Sequence, residues 1–538
     1  MISCFLFVTA DPAFGETYHV DVSSGDDAHE GSKALPFKTI RRASESAGPG
    51  DRVIIHPGTY HEQIVGGRSG RERAPITYEG AGPEKTILCG AVRVKDWRRA
   101  GEVWIKAGLK PITRENSFVM IDEKRMLKEH QSPEGLTDGS YHLDGNGTYR
   151  IRLWAGADPN RDHAVDVYEL DTAFNAGDRW GGSAKKWIVL RSLAIEKYGG
   201  HGISTDKRRP GDNSHWELDR VTVRYNNAEG VFHCLDDWFV HDCRFLRNRG
   251  HGCQINGART LFVDNYSAEN EWFGPYQDGG CGLLVGPDAS AHDCLVKNCV
   301  FENNGAINGY GAGIYLEGRS HGNRIENNTI RFNTHSGIGF FGSSGNIVCN
   351  NVLIGNRGRP GEEVGAAFFV GHSLEGAPTR SQSNLVAHNT VWGYGSPLEV
   401  IAELLINGER HNRFINNLFI GCTNFTALPG NSPVTLERNG WFQALVPGEP
   451  VSSQSKSMIR EIMKRVLNAD PSSIDSDPVI GMDPGLKDTS KGDFRPKHDS
   501  PVVGRGIPLE VIPTDRDGLP RPPGRDPTLG AHELGGDR

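Results

Sequence analysis

The amino-acid sequence predicts an all-β protein whose body is a parallel β-helix, a solenoid of short stacked strands. Three observations lead there. From about residue 196 one phrase recurs, with glycines at 202, 230, 252, 282, 313, 337 and 365, spaced 22 to 31 residues apart. Asparagines march at the same period in two further columns: Asn226, Asn248, Asn270, Asn303, Asn333 and Asn356, then Asn265, Asn298, Asn328, Asn351, Asn389 and Asn417. Residues one and three after each Gly are mostly apolar (Ile203, Val231, Ile255, Val285, Ile314 and Leu316, Ile338 and Phe340), the period-two signature of a strand with one face inward. Such coils stack about 4.8 Å apart. An Asn repeated at a turn can bond to the next coil, and it tolerates left-handed backbone. Neither the leucine ladder of leucine-rich repeats nor the helical pattern of ankyrins is present.

Composition narrows the classes. The chain has 538 residues and 68 glycines without a Gly-X-Y period, which removes collagen. A 37% hydrophobic and 8% aromatic content removes wholesale disorder. No apolar run approaches the roughly 18 residues of a membrane span. A net charge of −8 argues against a general nucleic-acid binder. The apolar stretch Ile2 to Ala10 before Asp11-Pro12 reads as a leader or partial export signal, without the usual basic start. Ten cysteines show no CxxC pair and no zinc spacing, so buried thiols are expected rather than a disulfide framework.

In chain order, residues 1–16 form the leader segment and 17–90 open the β-helix, with a capping helix over Thr39 to Ala47 and an alternating strand at Arg52 to Ile55. Residues 91–170 lack the repeat and read as an inserted antiparallel β-sandwich, with strands around Phe118 to Ile121, Thr148 to Leu153 and Ala164 to Tyr168. Residues 171–425 carry the coils. Residues 426–538 form an irregular C-terminal cap, with an amphipathic helix predicted over Ser457 to Leu467.

Several stretches resemble right-handed parallel β-helix proteins of the pectin-lyase-like superfamily. They are VDVSSGDDAHEGSKALPFKTIRRA (20–43), GDRVIIHPGTYHEQI (50–64) and APITYEGAG (74–82) at the start, and SPVVGRG (500–506), DGLPRP (517–522) and LGAHEL (529–534) at the end. The resemblance implies a right-handed coil and carbohydrate-related work. It leaves the reaction open, because the superfamily includes lyases, hydrolases and epimerases. The inserted sandwich is similar to that of a β-xylosidase family. In that family a GIxLD stretch carries the nucleophile and a glutamate one coil later is the acid. Here GAGIYLEG (311–318) places Glu317 at the nucleophile position and Phe341 where the acid would stand.

Outward strand positions are where a substrate would lie. Two after Gly stand Ser204, Phe232, Gln254, Leu284, Tyr315 and Gly339; four after stand Asp206, Cys234, Asn256, Gly286, Glu317 and Phe341. Insertions at 271–281, 304–312 and 357–364 enter at one corner and bring Trp272, Phe273, Tyr276, Asp278, Tyr310, Glu362 and Glu363. Aromatic rings stack on sugars and carboxyls shuttle protons, so Glu317 with a loop carboxylate such as Asp278 or Glu363 is one candidate catalytic set. Gln254, Asn256, Tyr315, Trp272, Tyr276 and Tyr310 are candidate substrate contacts. A second set, His201, Glu229 and His251, stands just before the Gly column; GHG occurs twice, as in polygalacturonases, but the His-Glu-His order departs from theirs.

These features define two classes: a secreted, periplasmic or surface enzyme that cleaves glycosidic bonds in a polysaccharide, by hydrolysis or elimination, and a non-catalytic polysaccharide binder on the same scaffold. A monomer is expected, with a polysaccharide or oligosaccharide as partner. No cofactor is evident; Ca²⁺ would rest on Asp206, Asp236 and Asp237, whose alternative role is as turn residues.

Overall fold

The computed structural model describes residues 15–110, 118–177, 183–205, 211–272, 279–286, 291–305, 311–356, 366–373, 379–393, 396–400, 412–421, 434–442 and 475–535. They fall into two compact units, Met1–Asn227 and Ala228–Arg538, a division inside the run that the sequence reads as continuous coils.

In the first unit, parallel strands Thr17–Val20, Arg52–Ile55, Ile76–Gly80, Ile188–Arg191 and Glu217–Asp219 follow one another in one sheet. Gly58–Tyr60, Thr86–Cys89, Ala194–Glu196 and Thr222–Arg224 form a second, and Phe174–Ala176 pairs with Ile203–Thr205 in a third. The helix Ile40–Ser46 forms where expected: the Thr39 side chain caps it by accepting the Arg42 N–H at 3.1 Å, and Ile40 and Ala43 are buried beneath it.

The predicted sandwich leaves the coil after Cys89. One antiparallel sheet runs Arg125–Met126, Val119–Ile121, Val165–Tyr168, Ala91–Val94; the facing sheet runs Lys128–Glu129, Ser140–Leu143, Tyr149–Arg152, Val103–Lys106, Arg98–Ala100, with one parallel pair at its edge. Their inner faces share a core that includes Trp97, Val119, Tyr149, Ile151 and Val165. Ala194 still pairs with Ile87, so the coils before and after the insertion remain direct neighbours. Lys197 ties sandwich to coil: its buried amine meets Asp166 at 3.0 Å, Glu123 at 2.7 Å and Glu196 at 3.5 Å.

In the second unit parallel strands again build three sheets coil by coil, numbered here by the same order within the coil. The third contains Val231–Cys234, Cys253–Ile255, Leu283–Val285, Ala312–Glu317, Ser336–Phe341 and Ala366–Ser373. Cys253, Leu283, Ile314, Ile338 and Phe368 stand in one register column. The predicted inward residues are all buried. Each contributes on the order of 1.5–3 kcal/mol by leaving water.

Sterics explain the glycine column. A Cβ at Gly252, Gly282, Gly313 or Gly337 would meet the next coil's carbonyl at 2.7–2.8 Å and a ladder asparagine amide at 2.9–3.1 Å. It would also strike a lumen side chain: Ser267, Phe301, Ile330 or Leu353, respectively. These positions need glycine for space, because none has a positive φ.

The asparagine ladders form, with two corrections. The first runs Asn248, Asn270, Asn304, Asn333, Asn356, each side-chain amide donating to the next side-chain oxygen at 2.8–3.1 Å. Asn304 rather than Asn303 is the rung. In the second column Cys299 holds the rung expected of Asn298, and the ladder continues Asn328, Asn351, Asn389, Asn417, Asn439. The residue before each rung, not the rung, carries the left-handed backbone: Asn298 (φ 57), Asn303 (φ 55) and Asn327 (φ 60), but also Glu269 and Phe332. A third ladder, Asn323, Asn346, Asn384, Asn412, was not read from the sequence. The described cysteines are free and buried, as expected.

One outward assignment fails. Cys234 is fully buried and pairs with Ile255, because a bulge at Phe232–His233, with His233 at φ 67, adds a residue and turns Cys234 into the lumen. Near the C-terminus, Leu486, Phe494, Val502 and Leu529 pack on the coil residues Val352, Leu418 and Phe442. The Asp515 carboxylate gathers the N–H groups of Asp517, Leu519 and Glu533, and Arg521 joins Glu533 to Asn350. The helix expected over 457–467 and the leader to residue 14 lie outside the described residues.

Candidate active site on the third sheet

The outer faces of the sheets differ. In the second unit the first sheet turns Phe239 and Leu261 outward at 38% and 41% exposure. Its later strands, and those of the second sheet, carry ion-pair rungs such as Lys297–Glu326 at 2.9 Å and Arg331–Glu302. Those are ordinary solvated faces. The outer face of the third sheet is partly enclosed: its outward Gln254, Leu284 and Phe369 are at most 5% exposed. Tyr315, Glu317 and Phe341 are half-buried.

Register places the outward residues as the sequence predicted. Gln254, Leu284, Tyr315, Gly339 and Phe369 stand in one column, and Glu317 faces Phe341 in the next coil. Tyr315 lies against Gly339, where a Cβ would come within 2.5 Å of the ring. Its hydroxyl is 3.4 Å from His335 Nδ1, and Phe341 meets the ring edge-on with centroids 6.0 Å apart. Phe369 packs against both His335 and Phe341. Burial pushes His335 down to about 4, so the imidazole is neutral at pH 7.

Sequence reasoning passed over Glu271. It directly follows the ladder residue Asn270, is fully buried, and holds a left-handed backbone (φ 66), which is costly for a non-glycine residue. Its N–H donates to the Asn248 carbonyl at 2.7 Å. Gly280 must be glycine beside it, since a Cβ there would lie 2.2 Å from the Glu271 Cβ. Burial raises the Cys281 thiol pKa, and the negative charges of Glu317 and Glu271 add to that rise. A carboxylate at a turn looks like any polar turn residue in sequence; its complete burial is the signal.

His251 is also buried, and its Nδ1 accepts the Cys281 N–H at 3.0 Å. That fixes the ring proton on Nε2 and leaves Nδ1 unable to act as a base. Glu229 is buried in the preceding coil, where the Gly230 N–H donates to the His251 carbonyl. His201 belongs to the first unit and is half-buried. Asn256 is buried one residue after the strand Cys253–Ile255. Trp272 is half-buried under the Arg247 guanidinium, 5.3 Å from its ring. Tyr276, Asp278, Tyr310, Glu362, Glu363 and Asp206 lie outside the described residues.

Asp236 and Asp237 act as turn residues, the first accepting the Ala258 N–H and the second pairing with Arg259. In the second unit, ligand atoms of Asp515, Asp517 and His532 lie within 4.8 Å of one another, a set able to hold a metal by proximity. Asp515 already accepts three backbone N–H groups there. No helix among the described residues is long and apolar enough to cross a membrane.

Comparison with known proteins agrees with the fold. A family described as "Right handed beta helix region" matches residues 211–440, and a protein family of unknown function, DUF1565, matches 23–78. The uncharacterized protein YwoF of Bacillus subtilis (strain 168) is 40% identical over 67 residues, 12% of this chain and 14% of that protein. The structure of XylC with xylose superimposes with a TM-score of 0.66 at 15% identity, over 96% of this chain and 98% of that one. Pectate lyase Pel9A gives 0.42 at 12% identity, over 98% of each. The chain is a right-handed parallel β-helix protein.

Proposed function

We propose that this protein cleaves a glycosidic bond in a polysaccharide or oligosaccharide bound across the outer face of the third sheet, with Glu317 as a catalytic carboxyl. The observation that carries the reading is the enclosure of that face around Gln254, Leu284 and Phe369, where the other sheets present rows of ion pairs. A buried surface of amides, aromatic rings and carboxyls suits sugar hydroxyls and ring faces. Glycosidic cleavage needs one carboxyl to protonate the leaving oxygen and another to act at the anomeric carbon, directly or through water. Glu271, a buried carboxylate whose charge acts on the same Cys281 thiol as that of Glu317, takes the partner role in this reading, alongside the Asp278 or Glu363 of the sequence reading. The likeness in fold to XylC, solved with xylose, is consistent with a sugar ligand.

The pairing of Glu317 with Phe341 favours a second reading, a glycan-binding protein without turnover, because phenylalanine supplies no proton. Incubation with a polysaccharide panel separates the two. New reducing ends mean hydrolysis, unsaturated products mean elimination, and retention without product means binding alone. Glu317→Gln keeps the shape and removes the ionisable group, so turnover should fall at least ~100-fold. Unchanged turnover would remove Glu317 from the chemistry.

A further inference from the structure

We propose that the position beside Glu317 is a subsite for an uncharged sugar ring, with Tyr315 as its stacking platform and Gly339 and His335 as the groups that set the platform's angle. The inference rests on the glycan reading above and adds the substrate class. Tyr315 shares the outward side of its strand with Glu317, two residues along. Gly339 supplies the space for its ring, since any Cβ there would come within 2.5 Å of it. The hydroxyl end is held near His335 Nδ1, and Phe341 closes the side toward Glu317's neighbour coil. A half-buried aromatic ring fixed in this way suits the apolar C–H face of a sugar, while the sugar's rim hydroxyls meet Glu317 and the amides.

Charge sets the class. Among the described residues, the two outward columns from Gln254 to Phe369 and from Asn256 to Phe341 contain amides, aromatics, leucine, glycine and one carboxylate, and no lysine or arginine. Near the platform, His335 is neutral at pH 7 because burial disfavours its cation. A uronate carboxylate bound here would need a cation, which the described outward positions of these strands do not offer, whereas an uncharged ring needs none.

The test is affinity gel electrophoresis of the full chain. The uncharged polymers are β-glucan, galactan and xylan stripped of acidic branches; the acidic ones are polygalacturonate and alginate. The expected result is retardation by at least one uncharged polymer and by neither acidic one. That retardation should weaken at least ~10-fold in both Gly339→Ala and Tyr315→Ala. Tyr315→Ala trims a half-buried side chain and keeps the test valid should Gly339→Ala fold poorly; thermal melting checks both. Retardation by an acidic polymer would overturn the subsite; cleavage of that polymer, lost in Glu317→Gln, would leave the proposed reaction standing. Retardation by an uncharged polymer that Tyr315→Ala does not weaken would also overturn it. Binding of uncharged polymers with the expected loss but no product would support the subsite and reject turnover. Retardation by no polymer would reject both.

Discussion

The end of the second asparagine ladder offers a quantitative test. Asn417 donates to Asn439, and Asn439 donates to Asp475 at 2.9 Å, so a carboxyl stands where the repeat would put another amide. The Trp441 indole N–H donates to the same oxygen, Oδ2, at 2.9 Å; Oδ1 is buried without a partner among the described residues. Burial pushes the Asp475 carboxyl up from 3.8 to about 7, against the pull of the Asn439 and Trp441 donors. The native state therefore holds a proton that the unfolded chain releases. The stability from this group is fully present below pH 3.8 and is lost as pH rises through 7. Each tenfold change in proton affinity is about 1.4 kcal/mol, so the ionised carboxylate at pH 8 costs the fold on the order of 4 kcal/mol. Asp475→Asn keeps an oxygen for both donors and removes the charge, at about 1–3 kcal/mol for an amide N–H₂ left without an acceptor. The variant should be equal to or less stable than the parent at pH 4.5 and more stable at pH 8. The difference in thermal midpoint should move by several degrees between them. Circular dichroism melts of both proteins at pH 4.5, 6 and 8 measure it. A midpoint difference that stays constant across this range would mean Asp475 is ionised throughout, and the argument for a desolvated ladder end would fail.

Two further outcomes follow from packing and charge. Gly313→Ala should lower stability by about 1–3 kcal/mol or more, because the new methyl meets Ile330 Cγ2 at 2.5 Å and the Gly337 carbonyl at 2.8 Å; a melt unchanged from the parent would show that the coils can shift to admit it. Lys197→Met should cost about 3–5 kcal/mol, since it leaves Asp166 and Glu196 buried with less compensation; urea unfolding of the first unit's signal checks this, and a loss below about 1 kcal/mol would mean that Arg93 and Arg224 suffice as counter-charges.

The sequence by itself determined the coil. Glycine spacing and the alternation through Ile203, Ile255, Ile314 and Ile338 are local consequences of burying one strand face at a fixed period, so they are written in residue order. The capping helix and the sandwich were legible for the same reason: Thr39 is a local cap, and residues 91–170 lose the repeat. Rungs were less secure, because Asn303 and Asn304 are both asparagines and only the direction of a side chain separates a left-handed corner from a ladder position. Cysteine at 299 replaced the amide altogether and hid the column. The bulge that turns Cys234 inward needs one extra residue, which spacing alone does not reveal.

Tertiary structure decided the candidate site. Strand alternation marks Glu317 and Tyr315 as outward, but three sheets have outward faces, and period two treats them alike. Only burial distinguishes the third, and burial depends on residues distant in sequence. Glu271 shows this most directly: at a turn a carboxylate is expected in water, and its enclosure beside Gly280 and near Cys281 arises from coils that meet only when stacked. The Tyr315 platform likewise needs Gly339, 24 residues on, whose missing side chain becomes meaningful only when the next coil lies beneath the ring.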